Sequence, residues 1–181
     1  MSIFKFEPIY KKRVWGGKQF GQLFDPSLNQ EEKFGESWNI VDREEDQSIC
    51  KLDTNEAITI REQLARRGTE IMGPSWIEGK RFPILIKWLD CQERLSLQVH
   101  PPAELALKLG GEPKTENWYV VKTCNNSGLF LGFNKEVSKS QFEKALKENK
   151  AEEFCNRIES KPNDSVLAVS YTHLTLPTNG C

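Results

Sequence analysis

Leu95 to His100 sets the strongest constraint on this chain. Ser96, Gln98 and His100 alternate with Leu95, Leu97 and Val99, the two-residue period of a strand with one apolar face. Pro101 and Pro102 must end that strand, because neither donates to a ladder. A second strand is predicted over Asn117 to Lys122, with Glu116 at its entrance. Side by side, the two would bring one imidazole, one carboxylate and one amide oxygen together. Such a set suits a borderline divalent ion, zinc first and iron, cobalt or manganese after it. Three mixed ligands leave a coordination position open, which is the catalytic pattern. The same Gln-x-His spacing also fits a hydrogen-bonded polar pair on a solvated sheet face, and the spacing alone leaves both readings open.

Turn residues punctuate the remainder at short intervals. Strands are expected over Phe4 to Tyr10 and Glu36 to Val41, with Ser48 to Leu52 as the hairpin partner of the second. Lys11-Lys12-Arg13 reads as a solvated basic edge leading into a Val14-Trp15-Gly16-Gly17 turn. A short helix is expected over Gln19 to Phe24. Another runs from Ile58 to Arg67, with Thr59 and Glu62 as a capping box and Gly68 as its end. Phe82 to Asp90 is nearly all apolar, as in a strand buried on both faces, and Lys87 is its anomaly. That lysine either lines a cavity or snorkels to a sheet edge. Ala103 to Leu109 reads as a short helix, and Asn125 to Gly128 as a turn leading into a hairpin strand over Leu129 to Phe133. Ser138 and Gln141 cap a helix, and Ala151 to Ile158 is expected to form another. The fold class is mainly β, a sandwich or barrel with a few helices.

Composition enters mainly through what it excludes. The 25 basic and 26 acidic residues nearly cancel, so no broad attraction to nucleic acid or an anionic membrane is expected. The N-terminus shows no secretory pattern, and the best apolar run is too short to span a bilayer. Five cysteines without a Cys-x-x-Cys pair point to free thiols in a reducing compartment, by default the cytoplasm. At 181 residues one ordinary domain with a real core is possible.

Leu95-Ser-Leu-Gln-Val-His-Pro followed by Lys114-Thr-Glu-Asn-Trp-Tyr resembles the paired signature of type I mannose-6-phosphate isomerases in their short bacterial form. Three upstream segments agree in order: Glu7-Pro-Ile-Tyr-Lys-Lys-Arg-Val-Trp-Gly-Gly, Gly35-Glu-Ser-Trp-Asn-Ile and Phe82-Pro-Ile-Leu-Ile-Lys-Trp-Leu-Asp. The resemblance implies a cupin-type jelly roll with inserted helices over residues 1–164. It implies a zinc-dependent exchange of mannose 6-phosphate and fructose 6-phosphate through an enediol. Gln98, His100 and Glu116 would be metal ligands, and Ser96 a donor to the substrate phosphate. Lys87 would reach the sugar phosphate, and Lys87 and Lys114 are the cationic candidates for catalysis. The expected partner is a small sugar phosphate, and oligomeric state is not legible.

The resemblance fails over residues 165–181. There the family would place Pro-Ala-Gly-Thr-x-His, whose histidine is the fourth ligand. His173 falls one residue early and lacks that lead, and a one-residue slip reverses the face a strand side chain occupies. The tail is therefore expected to be divergent or non-native, and the chain to be a C-terminally truncated form lacking further barrel strands and an arginine near the reacting carbons. A metal- or sugar-phosphate-binding module without turnover is the alternative function.

Overall fold

The computed structural model describes residues 3–51, 56–98, 100–134, 136–169 and 177–178. The chain divides into two compact units, Met1–Asp90 and Cys91–Cys181.

In the first unit, β1 (Ile9–Gly17) pairs antiparallel with β2 (Phe34–Ile40). Val14 to Gly17, expected as a turn, instead continues β1, with irregular register on either side of Lys12. Two glycines allow the close approach: a Cβ on Gly16 would lie 2.5 Å from the backbone N of Gly35. The basic triplet on β1 is paired residue by residue, Lys11 with Asp46 at 2.6 Å, Lys12 with Glu32 at 2.7 Å and Arg13 with Glu36 at 3.1 Å. Helix α1 (Gln19–Leu23) follows as expected. Beyond β2, Ser48 does return to Val41, its amide donating to the Val41 carbonyl. The strand it leads into, β3 (Ile49–Lys51), pairs with β4 (Ala57–Thr59), not with β2. A strand needs a partner at the right distance, and the segment after β3 supplies it.

Helix α2 (Ile60–Met72) opens with the capping box: Thr59 Oγ1 accepts from the Glu62 amide at 3.1 Å, and Glu62 Oε2 from the Thr59 amide at 2.8 Å. Gly68 does not end the helix. The backbone kinks at Arg67 (φ −139°, ψ 27°) and resumes to Met72, where Gly73 at φ +95° stops it. Gly68 instead makes room for Trp76, whose Nε1 would lie 2.3 Å from an added Cβ. Strand β5 (Ile86–Leu89) is an edge strand on β2, in the order β1-β2-β5. The expected double burial fails: Ile86 and Trp88, two residues apart on one face of β5, are exposed, as is Ile84 before the strand. Phe20, Phe34, Val41, Cys50, Ile58, Ile60 and Leu64 form the buried apolar set of this unit.

The second unit begins with a correction. Leu95 to His100 is not a strand among the described residues; only Gln98 makes an isolated bridge. The predicted alternation survives in part, with Leu95 buried and Ser96 and Gln98 exposed. Helix α3 (Ala103–Lys108) follows the prolines. Strand β6 (Glu116–Tyr119) then pairs with β9 (Ser165–Ala168), and β7 (Gly128–Phe133) with β8 (Cys155–Glu159). The Asn125 to Gly128 turn forms, with Asn126 at φ +67°, yet it does not make a β6–β7 hairpin. The short strand β10 (Pro177–Thr178) lies on the other side of β7. The capping box of Ser138 and Gln141 opens α4 (Lys139–Lys147), whose Phe142 packs edge-on against Phe133 at 5.0 Å. Ala151 to Ile158 is not a helix. One 3-10 turn, Ala151–Phe154, gives way to β8, whose open partner on β7 outweighs a weak helical pattern.

Cys50, Cys91 and Cys155 carry no disulfide, as expected, whereas Cys124 is disulfide-bonded. Among the described residues no helix is long and apolar enough to cross a membrane.

Candidate metal centre

Strand β6 fixes Glu116 by register and by period. Glu116 pairs with Ala168, which is 2% exposed, and along β6 positions 116 and 118 are half-buried while 117 and 119 alternate outward. The two-residue pleat therefore turns the Glu116 carboxylate inward. His100 is held at the entry to α3 by the two prolines, with Pro102 extended at φ −68° and ψ 167°. Its Nε2 lies 3.5 Å from Glu116 Oε2, and both side chains are largely covered. The other Glu116 oxygen, Oε1, forms an ion pair with the Lys114 ammonium at 2.9 Å.

Burial, helped by the nearby Lys114 ammonium, holds the His100 pKa below the usual histidine value, although Glu116 and a bond to the Lys114 backbone pull the other way. A pKa held below the usual value leaves His100 a neutral imidazole at neutral pH, and with the ring proton on Nδ1 its Nε2 is the lone-pair nitrogen. Both Nε2 and Glu116 Oε2 are buried and have no hydrogen-bond partner among the described residues. Two acceptors facing each other at this distance repel unless something positive lies between them.

The pair passes the fit test for a cation. Two ligand atoms about 2.1 Å from a tetrahedral zinc stand about 3.4 Å apart, against the 3.5 Å found here. A neutral imidazole beside a carboxylate is also the usual donor chemistry of zinc.

The remaining candidates are placed differently. Gln98 is two residues before His100, but its side chain is exposed, as is that of Ser96. Among the described residues no group of three or more His, Cys, Asp and Glu side chains forms a metal cluster. His173 lies outside the described residues. Lys114 is engaged with Glu116 and is not a free cation. Lys87 belongs to the first unit, where it lies 3.7 Å from Glu36 Oε2. Its side chain is 24% exposed and pairs with that carboxylate from the edge strand β5.

Glu36 is the residue that sequence reasoning missed. It is 7% exposed, accepts from Arg13 Nε at 3.1 Å and from Trp38 Nε1, and faces Lys87. Burial pushes its carboxyl up, but the Trp38 bond and the Lys87 and Arg13 charges more than offset that and leave it below the usual value. The signal was present in Gly35-Glu-Ser-Trp: a lone carboxylate two residues from a tryptophan, on a strand whose neighbour carries a lone lysine. Cross-strand register, Trp38 opposite Lys87, was needed to join them.

Comparisons with known proteins bear on this geometry. Residues 3–119 match the family model described as phosphomannose isomerase type I, catalytic domain. The mannose-6-phosphate isomerase ManA of Bacillus subtilis is 32% identical over 172 residues, covering 92% of this chain and 52% of its own length. The crystal structure of a mannose 6-phosphate isomerase from Bacillus subtilis superposes with a TM-score of 0.85 at 28% identity, over 99% of this chain and 56% of that one. A Salmonella typhimurium mannose 6-phosphate isomerase, determined with fructose 6-phosphate and zinc, matches with a TM-score of 0.70 at 14% identity, over 99% of this chain and 66% of that one. That last likeness speaks for the fold alone. The mainly β, cupin-type fold expected from the resemblance is thereby shown, and the chain spans about half the length of the curated relatives it matches.

Proposed function

The chain belongs to the type I phosphomannose isomerase family, and from that premise we propose that it carries a metal-dependent site for the exchange of mannose 6-phosphate and fructose 6-phosphate. The observation that carries this reading is the pair of orphaned acceptors, His100 Nε2 and Glu116 Oε2, at 3.5 Å. His100 and Glu116 would hold the ion, with Gln98 as a further ligand by resemblance. Zinc is the favoured occupant on donor chemistry, and the zinc in the Salmonella relative supports that choice. When bound, such an ion supplies a Lewis acid for the oxygens of the open-chain sugar.

The protein groups around it have separable tasks. The reaction moves a proton between C1 and C2 through an enediol, so negative charge develops on oxygen and needs fixed positive partners. Lys114 offers an ammonium beside the ligand carboxylate, and Lys87 is a second cationic candidate by the family resemblance alone. Ser96, exposed and two residues before Gln98, is the proposed donor to the phosphate. His100 stays neutral and keeps its lone pair for the ion, which removes it from acid/base duty.

Metal content and a coupled isomerase assay on untagged protein test the proposal. Wild type is expected to hold one zinc per chain and to turn over mannose 6-phosphate, and Glu116→Gln to lose at least tenfold in zinc affinity. Zinc retained equally by His100→Ala and Glu116→Gln would remove the site. Stoichiometric zinc without turnover would favour the second reading, a sugar-phosphate-binding module.

A further inference from the structure

Lys114 reaches the candidate site from two residues before Glu116, its ammonium 2.9 Å from Glu116 Oε1. The consequence is an asymmetric carboxylate: one oxygen is engaged, and the other is the orphan that faces Nε2. A carboxylate held in this way presents one oxygen to an ion, whereas a free carboxylate swings and can present two. One nitrogen and one oxygen at a tetrahedral edge distance suit zinc. Larger, harder ions gain from bidentate carboxylates and higher coordination numbers.

We propose that Lys114 is a positioning residue that sets metal choice, its ammonium fixing Glu116 as a one-oxygen ligand. This inference rests on the metal reading above. It assigns Lys114 a task in the metal site that is separate from any contact with substrate.

The test uses the full, untagged chain stripped of metal, as wild type, Lys114→Met and Lys114→Arg. Cobalt is added as a spectroscopic stand-in for zinc, and zinc and manganese compete in equilibrium dialysis read by elemental analysis. Lys114 is 43% exposed at its side chain, so folding is expected to survive both changes, and a matched far-ultraviolet dichroism spectrum checks this. Wild type is expected to give the intense visible absorption of four-coordinate cobalt. Lys114→Met is expected to lower that absorptivity about threefold and the zinc-over-manganese preference about tenfold, the lower range for loss of an outer-shell partner. Lys114→Arg is expected to restore most of both, since a guanidinium can still grip Oε1.

A lysine acting only as a nearby charge gives a different pattern. Its removal would tighten every divalent ion alike, with the cobalt spectrum and the metal preference unchanged, and that result overturns the proposal while leaving the metal site standing. Failure of wild type to bind zinc or cobalt stoichiometrically would overturn the metal reading and this inference together.

Discussion

Asp42 and Arg61 make an ion pair whose two halves are buried to different depths, and that difference predicts an inequality between two mutants. The Asp42 side chain is fully buried, while that of Arg61 is 34% exposed. Asp42 Oδ1 accepts from Arg61 Nε at 2.8 Å and lies 2.7 Å from a second guanidinium nitrogen, and Oδ2 accepts from the Phe82 amide at 2.8 Å. Arg61 has a fallback in Glu44, 3.4 Å away. Removing Asp42 leaves one amide without its acceptor, about 1–3 kcal/mol, and lets Arg61 relax toward water and Glu44 at small further cost. Asp42→Ala is therefore expected to cost about 2–3 kcal/mol. Arg61→Ala leaves a buried carboxylate with the Phe82 amide as its remaining bond, and stranding a buried charge costs about 3–5 kcal/mol. Arg61→Ala should thus be the worse variant, and the double mutant less damaged than the sum of the two. Urea unfolding followed by tryptophan fluorescence reads this directly, because four of the five tryptophans (15, 38, 76 and 88) lie in the unit that holds the pair. If Asp42→Ala proved equal to or worse than Arg61→Ala, the depth argument would be wrong.

Two further outcomes follow from the same unit. Gly16→Ala places a methyl 2.5 Å from the backbone of Gly35 and Phe34, atoms that cannot rotate aside, so β1 and β2 must separate. A loss of about 3 kcal/mol is expected from that overpacking, and a urea midpoint within error of wild type would refute it. Glu36 has a folded-state pKa below its usual value of 4.5, because its partners outweigh its burial. Its contribution to stability is therefore full above that value and is lost as pH falls through the lower folded value. Urea midpoints measured from about pH 6 down to about pH 3 should fall more steeply for wild type than for Glu36→Gln, and parallel acid limbs would contradict the assignment.

Local signals in this chain were read correctly where the physics is local. Both capping boxes, Thr59 with Glu62 and Ser138 with Gln141, were visible because a helix start satisfies its own amides within three residues. Gly68 was misread because its neighbour is Trp76, which no helix-ending rule contains.

The sequence by itself determined which residue types could meet a metal, which faces they occupy along their own segments, and the family to which those motifs point. Tertiary structure decided the partners. It put β3 on β4, β6 on β9 and β7 on β8, joined Glu36 to Lys87, and brought His100 to Glu116 without the strand expected beneath it. A helix closes its hydrogen bonds within its own turn, whereas a strand leaves its amides and carbonyls open until a distant segment arrives. Which segment arrives depends on the burial of the whole unit, and no window of the chain contains that.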